Sequence, residues 1–273
     1  MPNRGLVLAY HSANVTGTDY ASNDHMALTA DLRTIAASGW RLCPLSELVE
    51  HCLSVNADNE RLVAITCDDG ISLDYHDFDH PAHGMQPSFR RILNEFADER
   101  PDLDLQLSCF VIASPDAREQ LDRKDFLSLG LWPDQWWASA NSIGMLQIEN
   151  HSWDHNHPSV DPTAQRHQRK GRFEPIDDFE QCEAELAQAQ DYIAAVSGRR
   201  PRYFAYPWGQ SSDYLRAEYL PREAQRLGLE AAFGCEPGVV DLHSDRWMLP
   251  RAVCGEHWRS AAQLQRMFEQ MNR

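Results

Sequence analysis

Two aspartates, Asp68 and Asp69, stand side by side after the apolar run Ala64 to Cys67 and before Gly70. Neighbouring side chains on an extended chain point in different directions, so one carboxylate can bind a cation while the other takes a proton. The glycine permits the sharp turn that ends a strand there. A second group follows the apolar run Met145 to Ile148: in Glu149-Asn150-His151-Ser152-Trp153-Asp154-His155-Asn156-His157, two histidines, His151 and His155, are four residues apart. On one helical turn they share a face, with Cβ atoms about 5–6 Å apart, close enough to grip one metal. Two imidazoles and an aspartate oxygen form a three-ligand set with a position open for water, suited to zinc at about 2.0–2.1 Å from each nitrogen. A third segment, Tyr203-Phe204-Ala205-Tyr206-Pro207-Trp208-Gly209, ends a β-rich run in a proline, aromatic, glycine turn. Such a turn can aim backbone N–H groups at one point, as an oxyanion requires. Taken singly, the three segments read as an Asp-Asp-Gly turn, a polar loop with surface histidines and a buried aromatic corner. What joins them is that each closes a strand.

The strands must bring these ends to one rim. Leu6 to Tyr10, Leu62 to Cys67, Leu105 to Ile112, Gly144 to Glu149, Arg202 to Tyr206, Ala231 to Gly234 and Met248 to Cys254 read as strands. Between them lie amphipathic segments at Met26 to Ser38, Ser46 to Val55, Pro87 to Glu99, Asp177 to Ser197, Ser212 to Leu227 and Ser260 to Gln270. Alternation of this kind belongs to the α/β class, a parallel sheet wrapped by helices. About seven strands, one short of eight, predict a distorted or incomplete TIM-like (β/α)7 barrel with its chemistry at the C-terminal rim. No repeat or linker divides the 273 residues, so a single domain over residues 1–273 is expected. Asp74 to Gln86 and His157 to Ile176 are polar and aperiodic and are expected to be long loops.

In this order and context the three motifs resemble those of the polysaccharide deacetylases (carbohydrate esterase family 4, the NodB homology domain). Thr66-Cys67-Asp68-Asp69-Gly70 is similar to the TFDDG motif with Cys67 in place of phenylalanine. His151 to His155 matches H(S/T)xxH, and Phe204 to Gly209 is similar to the FAYPYG form of the third motif. The resemblance covers Tyr10 to Arg251. It implies a hydrolase that removes an N-acetyl group from an amino-sugar-containing substrate, releasing acetate and a free amine. It further implies that Asp69, His151 and His155 hold a divalent metal, that Asp68 is the general base, and that the backbone N–H of Trp208 helps to bind the oxyanion. Zinc is the default ion, and nickel, cobalt or iron also suit these ligands. Tyr206, Trp208 and Trp153 are candidates for substrate contact, whereas Trp136 and Trp137 read as core. The sequence departs from the family twice. Ala205 stands where many members carry an arginine that orients the base, and Arg251 is the candidate replacement. No late-strand histidine motif supplies the catalytic acid; His11, His243 and His257 are candidates, with His11 first because it closes the strand Leu6 to Tyr10.

Composition narrows the partners. A net charge of -16 argues against nucleic acid and anionic lipid. The run Leu6 to Tyr10 is too short for a secretory core or a membrane span, which needs about 20 residues, so a cytoplasmic enzyme acting on a glycan precursor or lipid-linked saccharide is expected. Seven cysteines without a CxxC pair point to reduced thiols and against a cysteine zinc site. A basic cluster, His167, Arg169, Lys170 and Arg172, is either a contact for an acidic substrate group or a solvated run. Two other readings stand beside the deacetylase: a hydrolase of small ureide-like amides, and a carbohydrate-binding barrel without chemistry. Asp68 beside a full ligand set argues against the last. The sequence does not specify an oligomeric state.

Overall fold

Strands buried on both faces read as continuous apolar runs, and seven such segments form the wall of the fold in a computed structural model that describes residues 3–55, 59–161 and 170–271. They are β1 (Arg4–Tyr10), β2 (Arg61–Cys67), β3 (Leu107–Val111), β4 (Leu146–Asn150), β5 (Tyr203–Ala205), β6 (Ala231–Phe233) and β7 (Ala252–Val253). Their order is β7-β1-β2-β3-β4-β5-β6, with the short strand Arg41–Leu42 beside β2, and every pairing in this sheet is parallel. The sheet curls into a half-barrel wrapped by helices. Its last segment touches both edges: Leu249 N–H donates to Ala232 C=O of β6 at 2.8 Å, while β7 pairs with β1 through Leu8–Ala252 and Ala9–Val253. One broken strand thus borders both ends of the wall, and Arg41–Leu42 brings the strands of the sheet to eight.

The inner face buries Val7, Leu62, Ala64, Phe110, Tyr203 and Phe233. The outer face buries Leu6, Leu8, Val63 and Ile65 against the helices, together with Trp136 and Trp137. The helix Pro115–Asp125 was not anticipated, and a second, Trp137–Ile143, occupies the end of the segment before β4. The first begins with a side-chain cap from Ser114 to Ala117 N–H and a proline in its first turn, a recognisable start signal; the second has only seven residues. The expected loop Asp74 to Gln86 contains an antiparallel hairpin, Phe78–His80 with Gly84–Gln86. Of the second expected loop, residues 162–169, and with them His167 and Arg169, lie outside the described residues. Lys170 and Arg172 are paired with Asp154 and Glu174. Among the described residues no helix is long and apolar enough to cross a membrane.

A buried carboxylate ties the first helix, Asp24–Ala37, to the barrel. Asp31 accepts from Tyr10 Oη (3.0 Å), Trp258 Nε1 (3.0 Å) and Tyr20 Oη. Burial pushes its carboxyl up from 3.8 to about 6, the three donors offsetting only part of the effect. A raised folded-state value means that this group's contribution to stability is full below about pH 4 and is lost as the pH rises through about 6. The shift corresponds to about 3 kcal/mol. Urea unfolding of Asp31→Asn and wild type should therefore differ in pH dependence, wild type losing about 3 kcal/mol more between pH 4 and pH 7; parallel curves would contradict this.

Candidate metal centre and active site

Hydrogen bonds that continue the ladder past the strand ends align the rim. Asp68 N–H donates to Tyr10 C=O (3.1 Å), Ile112 N–H to Asp69 C=O (3.2 Å) and His151 N–H to Val111 C=O (3.0 Å). Asp69 (φ 76°) and Gly70 (φ 77°) then take left-handed backbone in succession. A Cβ on residue 70 would lie 2.4 Å from Val111 Cγ1, so the turn requires glycine. Because the chain reverses here, both aspartates line one cavity, where an extended chain would have parted them.

The histidine pair corrects the sequence reading in a similar way. Residues 151–157 form no helical turn. Asn150 Oδ1 accepts from Ser152 N–H (2.8 Å) and Ser152 Oγ from His155 N–H (2.9 Å), and Ser152, His155 and Asn156 have φ of 70°, 60° and 45°. These local side-chain bonds fold the loop so that the rings of His151 and His155 meet with centroids 4.8 Å apart. Five of the seven described non-glycine residues with positive φ lie in the segments that build this cavity: Asp69, Ser152, His155, Asn156 and Trp208. Strain of about 1–3 kcal/mol per such residue is tolerated where geometry is over-determined.

Asp69, His151 and His155 each bring a donor atom within 4.8 Å of the other two. His151 Nε2 and His155 Nε2 lie 3.9 and 4.0 Å from Asp69 Oδ1. Bonds of about 2.0–2.2 Å at tetrahedral angles need donors roughly 3.3–3.6 Å apart, so a contraction of about half an ångström would accommodate an ion. His151 Nδ1 donates to Ala205 C=O at 2.8 Å, which leaves the Nε2 lone pair for a ligand. Burial lowers the pKa of both imidazoles; Asp68 and Asp69 partly oppose this at His151, and neighbouring histidines reinforce it at His155. The donor set, two neutral imidazoles and a carboxylate, fits a divalent cation.

Asp68, 3% exposed, faces the fully buried Arg251, whose Nη1 and Nη2 donate to Oδ1 and Oδ2 at 2.7 and 2.8 Å. Burial pushes the Asp68 carboxyl up, but the Arg251 charge, with help from His151, overrides it and holds the group well below the usual carboxylate range. Arg251 is itself fixed by Gly234 C=O (3.0 Å) and Thr66 Oγ1 (3.3 Å), with its guanidinium over the Phe110 ring. The base candidate is thus ionised and locked in one orientation.

Of the three acid candidates only His11 lines the cavity. Its backbone N–H donates to Asp24 Oδ2 (2.7 Å) and its Nδ1 is buried without a partner. His257 Nδ1 accepts from Val253 N–H (2.9 Å), and His243 sits in the exposed turn after Asp241. Trp208 has a left-handed backbone (φ 60°, ψ 9°) and a 44% exposed side chain stacked on His157 at 5.7 Å. Tyr206 lines the cavity but is buried and donates to Trp247 C=O (2.7 Å). Trp153 is not in the lining; it packs edge-on against Tyr192 at 5.8 Å. Sequence reasoning did not select His157, Glu236 and Glu256, which share the cavity of about 510 Å³. Glu236 and Glu256 each stand three residues past a strand end, a position that marks them as rim residues.

A family model described as polysaccharide deacetylase matches residues 55–232. No curated protein matches the sequence. Among solved structures, the chain is similar to IcaB from Ammonifex degensii, with a TM-score of 0.67 at 16% identity over 98% of this chain and 97% of that one. It is similar also to the Streptococcus pyogenes deacetylase PplD in complex with acetate (0.63, 15%, 98% and 99%). A third is a de-N-acetylase from Aggregatibacter actinomycetemcomitans (0.61, 13%, 96% and 100%). At these identities the structural likeness speaks for the fold alone.

Proposed function

Since the chain belongs to the polysaccharide deacetylase family, we propose that it removes the N-acetyl group of an amino-sugar-containing substrate, using a divalent metal held by Asp69, His151 and His155. The observation that carries this is the meeting, in one cavity, of that donor set with a carboxylate that Arg251 keeps ionised. Bound there, a zinc-type ion supplies Lewis acidity toward the acyl carbonyl and lowers the pKa of water; nickel, cobalt or iron suit the same ligands. Asp68 takes the proton of the attacking water. The fork of Arg251 engages both of its oxygens and fixes its orientation. The backbone N–H of Trp208, held by its left-handed conformation, supports the developing oxyanion. His11 gives a proton to the departing amine, and the exposed Trp208 ring is the platform for a sugar face. The cavity volume falls within the range of small-ligand sites, which suits one or two sugar units of a glycan precursor or lipid-linked saccharide.

Zinc-loaded protein offered N-acetylglucosamine and its short oligomers should release acetate and free amine in equal amounts. Metal uptake with no acetate from any sugar would overturn the proposal in favour of a small-amide hydrolase or a carbohydrate-binding barrel, which ureide-like substrates and sugar-binding calorimetry would then separate. Trp208→Ala removes the platform and keeps the backbone N–H. It should raise KM about tenfold, about 1.4 kcal/mol, with a much smaller change in kcat; the reverse pattern in steady-state kinetics would reassign the side chain.

A further inference from the structure

Behind the Asp68–Asp69 turn, on the outer face of the sheet, three side chains that the proposed reaction does not use meet. Cys67 at the end of β2 and Cys109 on β3 are register partners on adjacent strands, and Asp74 closes the short turn Ser72–Asp74. Each brings a donor atom within 4.8 Å of the other two, and all three are buried. Asp74 is fully buried, and neither of its oxygens receives an aligned hydrogen bond. Among the described residues no arginine or lysine pairs with it. Burial pushes the Asp74 carboxyl up to about 7, and the nearby Ser12 hydroxyl and Cys67 thiol offset only part of that. A buried carboxylate without bonding partners is costly, and a metal ion is a partner that can bond it and both thiols at once. Two sulfurs beside a carboxylate oxygen form the donor mix of a tetrahedral, borderline-soft ion.

We propose that Cys67, Cys109 and Asp74 hold a second divalent metal of the zinc type, with Ser12 Oγ beside it, stitching β2 to β3 and to the turn that follows Gly70. Binding releases the two thiol protons, so a doubly charged ion faces two thiolates and one carboxylate. The site has no CxxC signature because its thiols come from neighbouring strands; the sequence expectation of no cysteine metal site rested on spacing within one loop. Its role is structural. It braces, from behind, the segment that carries Asp68 and Asp69, and it stands whether or not the cavity binds a metal.

Cobalt(II) is the probe, because thiolate ligands give it an intense near-ultraviolet charge-transfer band that aspartate and histidine cannot. Wild-type protein loaded with cobalt should show this band, His155→Ala should keep it, and Cys109→Ser should lose it. Asp74→Asn, which preserves shape, should bind the sulfur-ligated cobalt at least tenfold more weakly while its far-ultraviolet circular dichroism matches wild type. No band in wild type, a band that survives Cys109→Ser, or unchanged affinity in folded Asp74→Asn would overturn the proposal.

Discussion

Asp68→Asn should leave the metal content unchanged and lower kcat by about two to four orders of magnitude, the usual worth of a positioned proton acceptor. Asparagine keeps the shape of the side chain and one hydrogen bond to Arg251, but it cannot take a proton from water. The same change leaves the guanidinium of Arg251, fully buried, without its counter-charge. Breaking a buried pair in this way costs about 3–5 kcal/mol, so the variant should also unfold at lower urea concentration. The pH dependence of that deficit follows from the direction of the shift. A carboxyl held below its ordinary 3.8 contributes stability above about pH 4 and loses it as the pH falls through its folded value. The deficit should therefore be complete at pH 7 and shrink only in acid. Near-wild-type turnover would mean that another group is the base.

His155→Ala should act on the other half of the site. It removes one of three ligands and leaves Asp69 and His151, too few to hold a hydrated divalent ion tightly. Metal analysis after dialysis should show loss of the cavity's ion, and kcat/KM should fall by about 10³ or more, because Lewis-acid assistance and water activation are lost together. The two variants separate the roles: one keeps the ion and loses the proton acceptor, the other loses the ion and keeps Asp68 on Arg251. A His155→Ala protein that retained both the cavity's metal and its turnover would show that the ligand set is wrong.

Much of the barrel was legible because doubly buried strands leave runs such as Leu62 to Cys67, and because each motif stands where such a run stops. The short strands were harder to read. Arg41–Leu42 has two residues and the Phe78–His80 hairpin has three per strand, too few for an apolar period to register. The helix at Pro115–Asp125 carried its Ser-Pro start signal, but its sequence is so polar that no apolar stripe stood out. In the site, residue types were legible and backbone was not. The shared face of His151 and His155 was expected from helical spacing, yet it comes from positive φ at Ser152 and His155 and from caps by Asn150 and Ser152. Arg251 could be proposed from its place at a strand end, but its fork onto Asp68 spans most of the chain and only the closing of the sheet brings them together. Trp153 fits the pattern of a substrate-facing aromatic by position in the motif, and it packs instead on Tyr192 because the loop turns at Ser152. Cys67 and Cys109 looked scattered until strand register paired them.

Anomalous diffraction from crystals of zinc-loaded protein, recorded on both sides of the zinc edge, locates the ion that Asp69, His151 and His155 are proposed to hold. A zinc peak is expected in the cavity about 2.0–2.2 Å from a carboxylate oxygen of Asp69 and from Nε2 of His151 and His155, with Asp68 beyond bonding distance and still forked to Arg251. A cavity without a zinc peak, or a zinc bonded to Asp68 in place of Asp69, would contradict that ligand set.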